Sequence, residues 1–399
     1  MTLRERAALA LSTWVLEVAV PTSGTSPEVS PRMRRIAISV VASTMTLSLA
    51  GCGMLNATGD TADASPTKGN DLTVGVLMPE KTNTRYEQFD YPIIQKTIAQ
   101  LTNKQGKTIY QNAGAKAATQ VQQMEKMISD KVDLILLDAV DSKGIAGTVE
   151  KAKDAGVPVI AYDRLAEGPI DAYVSFDNEL VGQVQGRTLV ETINNASTAD
   201  KIVMINGSPT DPNAGQFKAG ALSEIDGRVT VAATYDTDEW SPALAQSEMA
   251  QAIQRIGKNN IAGVYSANDA MAGGALKALE AAGVTDLPPI TGQDAELPAV
   301  QRIITGKQFM SVYKPYPQMA AAAAEMAVAK IQGKDIKFDS LTRDRVDSPT
   351  NKKIPAQLVT VVALTKSNVK QTVVADGIYT VGQICTAKFE AACEAVNLK

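Results

Sequence analysis

From Asp71 onward, short runs of β-branched and apolar residues alternate with longer stretches of helical periodicity. The pattern predicts strands at Leu72–Met78, Thr108–Gln111, Leu134–Leu137, Pro158–Tyr162 and Ala172–Phe176. Between them it predicts helices near Tyr91–Lys104, Ala117–Ser129 and Ile145–Ala155, the last closed by Gly156 at the position after the cap. A second series follows: helix Glu179–Asn194, strand Lys201–Ile205, helix Asn213–Ile225, strand Val229–Tyr235, helix Pro242–Ile256, strand Ile261–Tyr265, helix Ala270–Ala282 and strand Pro289–Gly292. Strands joined by crossover helices make parallel sheets, so two consecutive βα series predict an α/β protein of two Rossmann-like lobes. Helix Leu297–Thr305, strand Phe309–Tyr313 and the Ala-rich helix Pro317–Ile331 then read as completing the first lobe, with strand Gln357–Ala363 returning to the second. The expected first lobe is 71–176 plus 297–355 and the second 177–296 plus 356–399, with crossings near Phe176–Asn178, Asp294–Leu297 and Pro355–Leu358.

The bulk numbers narrow the chemistry. The 399 residues exceed what one ordinary core holds, and 45% hydrophobic with 21% charged residues is an ordinary globular balance. There is no histidine at all, which removes Ser-His-Asp and Cys-His catalysis, His-ligated metals and a histidine pH switch. Formal charge is -4; without the first 52 residues 34 basic residues face 40 acidic ones, which disfavours nucleic acid as a partner.

The N-terminal region reads as an address. Arg32, Arg34 and Arg35 precede the apolar run Ile36–Ala50, 15 residues where a spanning helix needs about 20, and the run ends in Leu49-Ala50-Gly51-Cys52. That ending resembles the bacterial lipobox, which implies cleavage before Cys52 and a lipid anchor on its thiol. Residues 1–52 are thus an expected signal region whose start is placed at Met33, and 53–70, rich in Gly, Thr, Asp, Ala and Ser, an expected flexible tether. Of the three cysteines, Cys385 and Cys393 then remain; in an oxidising compartment they could pair, or stay as two buried thiols.

In open α/β sheets ligands sit beyond the carboxyl ends of the strands. Those loops here carry Ala161-Tyr-Asp-Arg164, Val174-Ser-Phe-Asp-Asn178, Gly207-Ser-Pro-Thr-Asp-Pro-Asn-Ala214, Ser266-Ala-Asn-Asp-Ala-Met-Ala-Gly-Gly274, Thr291-Gly-Gln-Asp-Ala295 and Val312-Tyr-Lys-Pro315. In this order, over about residues 72–380, they resemble the D-xylose-binding and multiple-sugar-binding branch of the type I sugar-binding proteins of ABC importers. The resemblance implies a two-lobed clamp that closes on a monosaccharide about a three-stranded hinge and hands it to a membrane permease. It implies that Asp163 and Arg164 grip sugar hydroxyls and the ring oxygen, that Asn213, Asn268 and Asp294 are second-lobe ligands, that Lys314 reaches the sugar from the first lobe, and that Trp240 lies against the ring. Arg85 matches an arginine of the family, whereas Tyr86 stands where the xylose binders have Trp, a departure that bears on which sugar is bound.

The residue types suit a neutral polyol. Sugar hydroxyls donate and accept at once, so a site needs acceptor-only carboxylates, donor-only Arg or Lys, and amides that do both. An indole against the C–H face orients the ring with little entropy to lose. Local alternatives stand beside these roles: Asp163-Arg164 as a surface ion pair, Trp240 as a core aromatic, Lys314 as a solvated lysine and Asp294 as a helix cap. Asp269 is expected to cap the following helix while Asn268 faces the ligand, and Asp177 and Asn178 to serve the hinge or a cap. The expected protein is a monomeric, lipid-anchored capture protein without cofactor, metal or catalytic activity. An enzyme on the same architecture, a sensor passing occupancy to a chemoreceptor or kinase, and a sugar-responsive repressor are the rivals; the last would need a DNA-binding helix-turn-helix where the lipobox stands.

Overall fold

The computed structural model describes residues 67–193 and 195–398; Cys52 of the expected lipobox, the expected signal region and most of the expected tether lie outside them. The first βα series is β1 (Thr73–Met78), α1 (Tyr91–Leu101), β2 (Lys107–Asn112), α2 (Ala117–Ser129), β3 (Leu134–Leu137), α3 (Ala146–Asp154), β4 (Val159–Tyr162) and β5 (Ala172–Phe176). The second is α4 (Asn178–Thr192), β6 (Lys201–Asn206), α5 (Pro212–Ile225), β7 (Thr230–Asp236), α6 (Pro242–Ile256), β8 (Ile261–Ser266) and α7 (Asp269–Ala281). Then come α8 (Leu297–Ile304), β9 (Met310–Tyr313), α9 (Tyr316–Ile331), α10 (Asp335–Leu341), β10 (Asp344–Val346), β11 (Ile354–Val359), β12 (Val362–Thr365), α11 (Val381–Ile384) and α12 (Glu390–Ala395).

The first sheet has the order β10-β11-β5-β4-β3-β1-β2, parallel except for β10 at one edge. Its central strands are apolar on both faces because helices cover both, the reason they read as unbroken apolar runs. Alternate residues divide between the layers: Val74, Val76, Leu134, Leu136, Ile160 and Tyr162 face the core shared with α1 and α9. Leu77, Ile135, Leu137 and Ala161 face the core of α2 and α3.

The second sheet has β6 between β7 and β8, all parallel. The predicted strand Pro289–Gly292 appears as a single bridge, Ile290 to Val264 of β8, and the next residue, Gln293, bridges to Val312 of β9, which leads on to the antiparallel pair β9-β12. Helices α4 and α5 meet backbone to backbone through glycine: a Cβ on Gly182 would stand 2.0 Å from the Phe217 carbonyl oxygen, and one on Gly220 2.1 Å from that of Glu179.

Three expectations about chain path are corrected. Strand β9 pairs with β12 in a two-stranded sheet that single bridges link to β8, and not in the first sheet, so the middle crossing lies at Lys314–Pro315, between β9 and α9, rather than at Asp294–Leu297. The predicted strand Gln357–Ala363 is two strands: β11 pairs with β5 in the first sheet and β12 with β9 in the two-stranded sheet of the second lobe, which moves the last crossing from Pro355–Leu358 to Thr360–Val361. Four-residue apolar strands carry no mark of which sheet they join, because pairing is decided by tertiary contacts. The first crossing runs through Asp177, whose carboxylate caps α4 by accepting from the Leu180 N–H. Near the C-terminus, Cys385 just after α11 and Cys393 within α12 form a disulfide, their Cα atoms 5.9 Å apart.

Candidate functional site

A cleft of about 320 Å³, its mouth included, lies where the carboxyl ends of both sheets face one another. It is lined by all nine residues proposed from sequence, Arg85, Tyr86, Asp163, Arg164, Asn213, Trp240, Asn268, Asp294 and Lys314, together with Glu80, Asn83, Asp211, Phe217 and Gln293. Arg85 and Tyr86 stand between β1 and α1, Asp163 and Arg164 follow β4, and Asn213 opens α5. Trp240 lies in the turn between β7 and α6, Asn268 follows β8, and Lys314 follows β9.

Arg85 is the hub. Its Nε and one terminal nitrogen donate to the two oxygens of Asp90 at 2.8 and 3.2 Å, and its other terminal nitrogen lies 2.7 Å from Asp163 Oδ2. The rings of Tyr316, Tyr86 and Phe176 surround the guanidinium, 4.7, 5.0 and 5.9 Å from its carbon. Burial works against this charge, but Asp90 and Asp163 more than offset it and hold the arginine ionised. Asp90 also accepts from the Tyr162 hydroxyl, and burial raises its carboxyl above the ordinary range in spite of Arg85.

Asp163 sits in the left-handed region at φ 58°, a conformation L-residues adopt mainly where surroundings fix them. Its carbonyl oxygen accepts from Tyr173, Ser175 and Asn213 at 2.6, 2.7 and 3.0 Å. Burial alone would raise its carboxyl, yet Arg85, Lys314 and Arg164 bring it below the usual value. Arg164 reaches 2.9 Å to Asp211, 3.5 Å to Asp138, and donates to the Ala139 carbonyl at 3.1 Å. Lys314 lies 2.9 Å from Asp294 Oδ1, while Asn83 donates to Asp294 Oδ2 at 2.7 Å. Asp294 therefore binds across the cleft and does not cap α8, whose N-cap is Glu296.

Several of these contacts join the lobes. Arg164 to Asp211, Asn213 Nδ2 to Asp163 Oδ1 at 3.1 Å and Asn83 to Asp294 each connect one sheet's loops to the other's. At the mouth, the Ser142 N–H donates to the Thr210 carbonyl, and the Thr210 hydroxyl to the Val140 carbonyl, both at 3.3 Å. Asn178 donates to Asn213 Oδ1 at 2.9 Å, linking the hinge residue to the site.

The second lobe supplies the aromatic wall. Trp240 is 7% exposed, its ring edge-on to Phe217 at 6.2 Å and so close to Gly207 that a Cβ there would fall 2.0 Å from the indole. It therefore lines the cleft and belongs to the second core at once. The cap of α7 is Asn268, not Asp269 as expected, although Asn268 lines the cleft as expected. Asn268 caps α7 through Oδ1, accepting from the Met271 N–H at 2.9 Å. The buried Asp269 carboxylate instead accepts from Gln308, Ser311 and the Glu296 N–H at 2.7, 2.8 and 3.0 Å, and burial pushes it up to about 7. Either residue type caps a helix; which one does depends on where the first turn begins, a one-residue choice that the string Asn-Asp leaves open.

Five lining residues escaped the sequence reading. Asp211 and Gln293 lie inside motifs already singled out, and Phe217 is one turn beyond Asn213 on the same helix face. Glu80 and Asn83 carried only the general signal of following a strand's carboxyl end; Glu80 accepts from the Asn83 N–H at 3.0 and 3.2 Å.

Residues 74–335 match the model of the periplasmic binding protein domain. The chain belongs to that family. It is 35% identical to the D-xylose-binding periplasmic protein of Escherichia coli over 315 residues, 77% of this chain and 91% of the relative. It is 32% identical to a multiple sugar-binding periplasmic protein of Azospirillum brasilense over 367 residues, 86% of this chain and 99% of the relative. Among solved structures, an ABC transporter solute-binding protein from Clostridium phytofermentans with bound β-D-glucose superimposes with a TM-score of 0.71 at 29% identity, covering 78% of this chain and 99% of that one. The fold is that of the type I periplasmic binding proteins, parallel α/β lobes joined by three crossings.

Proposed function

We propose that this protein captures a monosaccharide outside the cytoplasmic membrane and delivers it to the permease of an ABC importer, held to the membrane by a lipid on Cys52. The observation that carries the reading is the cleft itself. Carboxylates, two guanidiniums, an ammonium, four amides and an indole converge from the strand ends of both lobes on one cleft. Charged partners contribute about 1.5 to 3 kcal/mol per hydrogen bond, and micromolar affinity needs only about 8 kcal/mol net, so four or five good contacts suffice.

Because each lobe holds part of the set, capture requires the lobes to close, and the closed form is what the permease reads. Xylose or a related aldopyranose is the proposed ligand, since the relatives that share the motifs include D-xylose-binding proteins. The protein works as a monomer, by capture and release without catalysis.

The test is a thermal-shift and tryptophan-fluorescence screen of residues 71–399, in which Trp240 is the sole indole, against xylose, glucose, galactose, arabinose, ribose and fructose. A true ligand at a hundredfold excess over its Kd stabilises by about 2.7 kcal/mol. Strong stabilisation by xylose with a change in emission is the expected result. Silence across the panel would refute the sugar reading, and product formed from free sugars or glycosides would refute the absence of catalysis.

A further inference from the structure

The site's charges do not balance. Six carboxylates, Glu80, Asp90, Asp138, Asp163, Asp211 and Asp294, surround three cations, Arg85, Arg164 and Lys314, and none of the nine is more than 6% exposed. Every one of the cations is already engaged. Arg85 serves Asp90 and Asp163, Arg164 serves Asp211, Asp138 and a carbonyl, and Lys314 serves Asp294.

Asp138 is the least compensated. Neither of its oxygens has a hydrogen-bond partner among the described residues, and its nearest cation, Arg164 Nε at 3.5 Å, is closer to Asp211. The charged groups acting on it are Arg164, Asp163, Arg85 and Asp211, and burial pushes its carboxyl well above the ordinary range. Burial also raises Glu80, and protons on both Asp138 and Glu80 still leave four carboxylates against three cations. The neighbouring Asp269 and Glu296 add two more acids against one Arg302.

We propose that this imbalance makes the cleft a charge filter, which admits uncharged sugars and refuses sugars of similar shape that carry a carboxylate. An incoming anion finds no free guanidinium or ammonium to meet it. To gain one it must displace Asp163, Asp211 or Asp294 from its cation and leave that carboxylate buried and unpaired. Refusal built on an uncompensated buried charge is selection by repulsion, and it needs no contact to the favoured ligand. The inference rests on the monosaccharide reading and specifies its ligand class.

The test compares D-glucuronate with D-glucuronamide, which differ in charge but hardly in size, by calorimetric titration of the purified chain at pH 8 and low salt, with D-xylose alongside. The amide is expected to bind at least about 30-fold more tightly than the carboxylate. The variants Asp211→Asn and Asp294→Asn, each of which frees a cation, are expected to narrow that ratio at least about threefold. Equal affinity for the two probes would overturn the filter, as would refusal of both while xylose binds, since the discrimination would then lie in size. If xylose and the rest of the sugar panel also fail, the monosaccharide reading itself falls.

Discussion

The two halves of the cleft are built differently. The first-lobe half is ionic: beside the ends of β1 and β4, Arg85 holds Asp90 and Asp163 in buried, charge-assisted contacts, and Arg164 stands 3.5 Å from Asp138. The second-lobe half, apart from Asp211 and Asp294, is neutral. Asn213, Phe217, Trp240, Asn268 and Gln293 sit at helix starts and strand ends, where their side chains pack or cap as well as face the cleft. The lesson is a division of labour. A network of mutually paired charges fixes hydrogen-bonding directions before any ligand arrives, and the amides and rings opposite supply contacts that depend on the lobes coming together.

If that contrast is real, the largest effect comes from the hub. Arg85→Ala leaves Asp90 and Asp163 buried without their cation, and is expected to lower stability by about 3 to 5 kcal/mol in denaturant unfolding and to weaken sugar binding more than about 100-fold. A loss of only a few tenths of a kcal/mol would mean that the ionic half is not pre-organised.

In the second lobe the corresponding buried carboxyl, Asp269, bears on stability rather than on ligand. Because its folded-state value is raised from 3.8 to about 7, the folded chain keeps a proton that the unfolded chain releases. Its stabilising contribution is complete below about pH 4 and is lost as pH rises through about 7. Asp269→Asn is expected to flatten that part of the pH dependence of Tm, by an amount on the order of a few kcal/mol between the two ends. An unchanged slope would remove Asp269 from the account.

Next in size, Asp163→Ala or Arg164→Ala is expected to weaken binding at least about tenfold, following the cost of stranded polar partners. Unchanged affinity would take both out of the site. The smallest expected effect is Trp240→Phe, which keeps an aromatic ring against Gly207 and is expected to cost about three- to tenfold in Kd. A loss as great as that of Arg85→Ala would erase the distinction between the halves.

Much of this was legible in the sequence, and the parts that were not share a cause. The βα alternation revealed both lobes because strands buried on two faces leave long apolar runs. Site residues such as Asp163 and Asn213 could be found because parallel sheets place their ligands at one end of every strand. The sheet to which Met310–Tyr313 belongs, the break within Gln357–Ala363 and the choice of Asn268 over Asp269 as the cap of α7 were not legible. Each turns on pairing partners or on a shift of one residue, which local pattern leaves undetermined. Asp90 and Asp138 were hidden for another reason: they lie beneath the cleft, and their part in it is visible only through Arg85 and Arg164.

The most direct test of the central claim is calorimetric titration of D-xylose into the protein. The account expects one site per chain, a Kd near the micromolar range, and a negative heat-capacity change from surface buried as the lobes enclose the ring. No heat with xylose or with the other aldopyranoses, at concentrations up to the millimolar range, would contradict it.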